Sequence, residues 1–237
     1  FKLSNTANNE DITEAFNRSF KYPNLHRPET IINGHNESSM PIISMEESDQ
    51  INFGLWGLLP HGYQQSWEQF QRITNTLNTD ISICNESSWL NEALRKRRCL
   101  IIVTGYFTTM IKDDEVYHHL VYQKAQKPFV LAGVYNQTND GYLTFTILLS
   151  QSNPFISKVH NIDNFMPLII SENDISTWLD KNAPISLIKS YIANPTKINL
   201  VYHSISTALF DQEISYSTIL EPHHYQNVPF KDWNDHE

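Results

Sequence analysis

Glycine is scarce in this chain, with only seven in 237 residues. That leaves no glycine-rich phosphate cradle and no repeat built on glycine turns. Cysteine is nearly absent. Cys84 and Cys99 are the two present, which is too few for a disulfide framework or a zinc spacing, and both sit in apolar-leaning segments where buried, reduced thiols are expected. No apolar run approaches the roughly 18 residues that a spanning helix needs. The stretch from Phe1 to Glu10 is polar and lacks the apolar centre of a signal peptide. These absences predict a soluble, cytoplasmic protein without membrane association. Positive charge is also short, at 17 Lys and Arg against 26 Asp and Glu, for a formal net charge of -9. Indiscriminate nucleic-acid binding needs a basic surface to neutralise phosphates, so this balance speaks against it while leaving room for a local basic groove.

What is present is apolar and aromatic. Hydrophobic residues make up 40% and aromatics 12%, enough for a sizeable β-rich core in one domain of this length. Periodicity predicts a helix over 8–20, capped by Asn9 or Asp11, with Ile12, Ala15, Phe16 and Phe20 on one face. Residues 22–40 read as loop. Strands are expected over 41–44, 51–59, 99–107, 117–123, 129–135, 141–149, 166–170 and 200–205. Asn139-Asp140-Gly141 marks a hairpin turn. Helices are expected over 86–98, 172–179 and 186–192, with weaker helical character in 64–75 and 153–160. The sum is a single α+β domain over residues 1–220, with a mainly antiparallel, barrel-like β core and peripheral helices, followed by a polar tail over 221–237.

Several segments invite a chemical reading, each with a structural alternative. Trp56, between Gly54 and Gly57 and followed by Pro60, is either a core residue at a glycine-relieved bend or a ring that a ligand can approach. The amide-rich loop 75–80 builds turns or contacts a ligand. His160 is solvated or a proton-transfer group. The pairs His118-His119 and His223-His224 lack a third ligand at metal spacing and read as surface residues, so no metal or cofactor is expected. The run Arg95-Lys96-Arg97-Arg98 either complements a helix C-terminus or tracks phosphates.

Taken in order, these pieces resemble the SOS response-associated peptidase family of abasic-site processing proteins. The matching segments are Phe1-Lys2-Leu3-Ser4, Ile32-Asn33-Gly34, Trp56-Gly57-Leu58-Leu59-Pro60, Leu77-Asn78, Arg97-Arg98-Cys99-Leu100 with Gly105-Tyr106-Phe107, Phe129 to Tyr135, and Val159-His160 through Met166-Pro167. The resemblance implies a single-stranded DNA partner carrying abasic sites, a monomeric protein and an N-terminal cysteine. That cysteine's thiol and α-amine form a thiazolidine with the opened sugar, and self-processing peptidase activity accompanies it. On this basis Phe1 would follow a cysteine encoded directly before it. Asn78 would bind the sugar and His160 would transfer protons. Lys2, Asn33, Trp56, Gly57 and Pro60 would contact DNA. Three positions depart from the family pattern, one being Thr207, which stands where the family has a basic residue. Thr108 stands where the family has a glutamate, and Asp80 where it has a phosphate-binding arginine. Glu115 and Asp163 are the acids that could stand in for the missing glutamate. The departures predict weakened activity, or an inactive relative whose cleft takes another ligand.

Overall fold

The computed structural model describes residues 2–80, 87–196, 198–207 and 217–225. The strands are β1 (Lys2–Asn5), β2 (Ser19–Phe20), β3 (Glu29–Asn33), β4 (Ser39–Ser44), β5 (Gln50–Trp56), β6 (Asn78–Asp80), β7 (Arg98–Val103), β8 (Gly105–Lys112), β9 (Glu115–Gln123), β10 (Phe129–Gln137), β11 (Leu143–Gln151), β12 (Phe165–Pro167), β13 (Ile169–Ile170) and β14 (Leu200–Ile205). The helices are α1 (Asn9–Phe16), α2 (Trp67–Ile73), α3 (Ser88–Lys96), α4 (Ile175–Leu179) and α5 (Ile185–Ala193).

One sheet runs β14-β9-β8-β1-β3. The other runs β12-β11-β10-β7-β4-β5-β2, and β11 also pairs in parallel with β5. That extra pairing closes β4, β5, β7, β10 and β11 into a ring. The fold is therefore α+β with a mainly antiparallel, barrel-like core and helices at its periphery, as the sequence predicts. Closure consumes strand edges that would otherwise expose unpaired backbone. β7 and β10 are buried along nearly their whole length, and Ile101, Ile102, Leu131 and Val134 are essentially inaccessible.

The expected central strand over 99–107 is two strands. The chain bends at Thr104, and β7 belongs to the ring while β8 belongs to the second sheet. Thr104 fixes the corner. Its amide donates to the Ser4 carbonyl at 2.8 Å, and its hydroxyl accepts from the Thr6 amide at 3.0 Å. Thr108 and Thr109 therefore sit inside β8 rather than past a strand end. The turn from β8 to β9 uses Asp113 and Asp114, both with positive φ (53° and 63°). This is the backbone that a two-residue hairpin requires.

Other expectations shift at their edges. Helix α1 stops at Asn17, which adopts a left-handed conformation (φ 51°), and its cap is Asn8, whose side chain accepts from the Asp11 amide while Asp11 reciprocates. The presumed loop 22–40 contains β3, and the amide-rich loop contains β6. Both are short strands held by pairing with β1 and β11 respectively, with little periodicity of their own. The strand over 166–170 splits at Leu168, because its first half pairs with β11 and its second with β10. The tail begins by docking. The His223 amide donates to Ser204 at 2.8 Å and the Tyr225 hydroxyl to Ile205 at 2.6 Å. The remaining tail, 226–237, lies outside the described residues, as do Phe1 and Cys84.

Candidate active site

Strand β8 carries Thr108, which is 7% exposed. Its hydroxyl donates to the Val159 carbonyl at 3.5 Å. The long separation marks a weak bond. The next residue is His160, so the fold brings together the two positions that the sequence singles out from segments far apart. The loop carrying His160 is pinned to β8 a second time. The Asn161 side chain accepts from the Ile111 amide at 2.8 Å and donates to the Ile111 carbonyl at 2.7 Å, standing in for a neighbouring strand.

The two ring nitrogens of His160 differ. Nε2 lies 2.9 Å from Asp163 Oδ1, while Nδ1 is buried with no hydrogen-bond partner among the described residues. The same Asp163 oxygen accepts the Phe165 amide at 2.8 Å, which fixes the carboxylate. Of the two acids considered as stand-ins, Asp163 therefore reaches His160. Glu115 is engaged at the hairpin end, where its carboxylate accepts from the Tyr117 hydroxyl at 2.6 Å.

Directly across from Thr108 on β9 lies His119. The expectation of two surface histidines at 118 and 119 is corrected, since His119 is 2% exposed. Alternation explains it, because successive strand residues face opposite sides of a sheet. His118 points the other way and meets the Thr109 hydroxyl at 3.0 Å. Burial, helped by the charges of His118 and His203, pushes His119 down to about 4. Its Nδ1 has no partner among the described residues, and neither does the buried Tyr106 hydroxyl two residues before Thr108. Burial also pushes the Tyr106 phenol well above its ordinary range. The site thus gathers several polar atoms that are desolvated yet unmatched, which is uncommon in a folded interior.

The remaining predicted residues form a second group. Lys2 pairs with Asn33 across β1 and β3. The Asn33 side chain accepts from the His35 amide at 3.2 Å and so caps a tight turn. A Cβ at Gly34 would meet Leu77 and Trp56 at 3.1 Å, so this turn rests directly on them. Trp56 is the core residue of its two readings. It is fully buried, and its indole donates to the Leu77 carbonyl at 2.7 Å. Its ring therefore offers no free face for stacking. Gly57 (φ +116°) accepts from the Trp67 indole at 3.1 Å, and a Cβ there would fall 2.3 Å from that nitrogen. Pro60 follows, half-buried. Asn78 and Asp80 are half-buried on β6, opposite Ile147 and Leu149. Strand β1 joins the two groups, because Leu3 pairs with Ile32 on one side and Tyr106 on the other.

The second half of the basic run is consumed structurally, while Arg95 and Lys96 stay exposed. Arg98 is 1% exposed and donates to the carbonyls of Trp178, Leu94, Arg95 and Asp180 at 2.6–3.0 Å. Arg97 bonds Asn136 at 2.8 Å and also lies near Glu92. Among the described residues, no group of three or more His, Cys, Asp or Glu could hold a metal ion, and no helix is long and apolar enough to cross a membrane. Cys99 is buried and its thiol is pushed far up by desolvation, so it is no nucleophile.

Comparison with known proteins bears on the family and the fold. The family model for SOS response associated peptidase (SRAP) matches residues 1–211. The abasic site processing protein YMR114C of Saccharomyces cerevisiae is 24% identical over 137 residues, covering 56% of this chain and 36% of that protein. The chain thus spans little more than a third of that relative's length. A solved structure from Bacteroides thetaiotaomicron superposes with a TM-score of 0.83 at 21% identity, covering 94% of this chain and all of the other. One from Bordetella bronchiseptica gives 0.71 at 14% identity, covering 86% and 99%. These two likenesses speak for the fold. With its architecture and the ordered motifs from Lys2 to Pro167, the chain belongs to the SOS response associated peptidase family.

Proposed function

We propose that this protein senses abasic sites in single-stranded DNA through a cysteine encoded directly before Phe1, with self-processing peptidase activity at the same site, and that both run slowly. The observation that carries this reading is the family match over residues 1–211, in company with an abasic-site processing relative. The α-amine and the sugar aldehyde lose water to give an imine. The thiol then adds across it, closing the thiazolidine. Asn78 would hold the opened sugar and His160 would move protons. Lys2 and Asn33 would meet the backbone, and the Trp56–Pro60 segment would act as a rigid support beneath it. Slowness follows from Thr108, which carries no carboxylate to share proton transfer, and from Asp80, which repels phosphate where the family attracts it.

The test is incubation of the full-length protein, with its native N-terminus, with a single-stranded oligonucleotide bearing one abasic site, followed by a denaturing gel. A covalent product that forms slowly, and not with an intact oligonucleotide, is expected. No product after prolonged incubation sinks the proposal.

A second reading is an inactive relative that takes another ligand, and one observation, made apart from Thr108, Asn78 and His160, is compatible with it. Among the described residues, a groove of about 1110 Å³ is lined by Glu37, Glu46, Glu47 and Asp140 against one cation, Lys21, which is already paired to Glu47 at 2.6 Å. Such a lining disfavours a phosphate chain. A residue other than cysteine encoded before Phe1 would decide for this alternative.

A further inference from the structure

We propose that Asp163 is a positioning residue for His160, holding the ring as the tautomer with a bare Nδ1 and so supplying from the His160 loop the acid that Thr108 lacks. The inference rests on the abasic-site reading above. A carboxylate only accepts hydrogen bonds, so the 2.9 Å contact with Asp163 Oδ1 requires the proton on Nε2. The neutral ring then has its lone pair on Nδ1, the nitrogen that is buried and unpartnered among the described residues. The carboxylate is itself held by the Phe165 amide at 2.8 Å, and the ring by the double attachment of its loop to β8 through Val159 and Asn161. The arrangement is a proton acceptor oriented by a fixed carboxylate, the division of labour by which an acid steers a catalytic histidine. His160 is largely enclosed (14% exposed side chain) while Asp163 is 47% exposed. The carboxylate thus lies at the surface while the bare nitrogen faces the interior. No other acid is bonded to His160 among the described residues.

Two measurements test this. In protein labelled with 15N-histidine, the His160 signals, assigned by their loss in His160→Gln, should show a protonated Nε2 and an unprotonated Nδ1 near neutral pH. In Asp163→Asn the tautomers should mix. The same tautomer in the variant, or a protonated Nδ1 in the wild type, overturns the assignment. In single-turnover crosslinking to abasic single-stranded DNA, Asp163→Asn should react about tenfold more slowly. Asp163→Glu should recover most of that loss, and the double variant with His160→Ala should be no slower than His160→Ala alone. An unchanged rate in Asp163→Asn also overturns it. If the wild type forms no crosslink, the functional reading fails, and the tautomer measurement still decides the role of Asp163.

Discussion

Two polar corners of this molecule are both largely buried and are treated in opposite ways. At the Arg98 corner, one guanidinium serves four carbonyls, including those of Leu94 and Arg95 in the last turn of α3 and those of Trp178 and Asp180 around α4. The Trp178 indole answers by donating to Cys99 at 3.0 Å. At the Thr108 corner, among the described residues, Thr108 makes one long bond, and the His119, Tyr106 and His160 side chains each leave a buried polar atom unmatched. Both corners pay a desolvation cost, and only the first recovers it within the fold. A charge met by four carbonyls ties helices to the barrel. Groups left unmatched are those a ligand can still engage.

The comparison can be broken most forcefully at Arg98. Arg98→Ala strips a partner from four carbonyls at once, those of Trp178 and Leu94 in buried bonds, and should lower stability by about 3–5 kcal/mol in chemical denaturation. A loss under about 1 kcal/mol would mean the corner is not the fastening it resembles. Acid provides the next test, aimed at the other corner. Unfolded histidine binds its proton below about pH 6.5, whereas folded His119 does so only near 4. Between those values the unfolded chain holds more protons, so stability present above pH 6.5 is lost as the pH falls towards 4, by up to about 3 kcal/mol. His119→Gln should flatten that part of the stability-pH curve, and an unchanged slope would place the loss elsewhere. The smallest effect is expected at Thr108. Thr108→Val removes only a 3.5 Å bond, so the melting free energy should move by less than about 1 kcal/mol. A larger loss would show the hydroxyl to be structural after all.

Much of this was legible in the sequence where physics acts locally. The Asn139-Asp140-Gly141 turn joins β10 and β11, and Gly141 takes positive φ (87°). The apolar stripe of Leu90, Ala93 and Leu94 marks α3. The family motifs carry the α+β barrel. Long-range pairing hid the rest. β1, β3 and β6 are polar, short and held by neighbours, so they have no periodicity to read. The break at Thr104 is invisible in a run that stays apolar on both sides of it. His119 was recoverable from alternation along β9, whereas the role of Arg98 depends on carbonyls from an element far along the chain. Of the site, Thr108 and His160 do come together, and Asp163 beside them was foreseeable only as one of two acids.

The ring closure between β5 and β11 sets an order of events during synthesis. Until Leu143, Thr144 and Phe145 exist to pair with Gly54, Leu55 and Trp56, that second half of β5, beyond the part held by β2, is an unpaired edge of an open sheet. Strand β4, already paired with it, carries the fully buried Met40, Ile42 and Ile43 with no finished barrel to face. Such edges invite association with other chains. The nascent protein therefore passes through a long interval of exposure, which ends only when the hairpin of β10 and β11 swings in and seals the barrel. A lesion in that hairpin would register first as loss of soluble protein during translation, before any change in the finished fold could be measured.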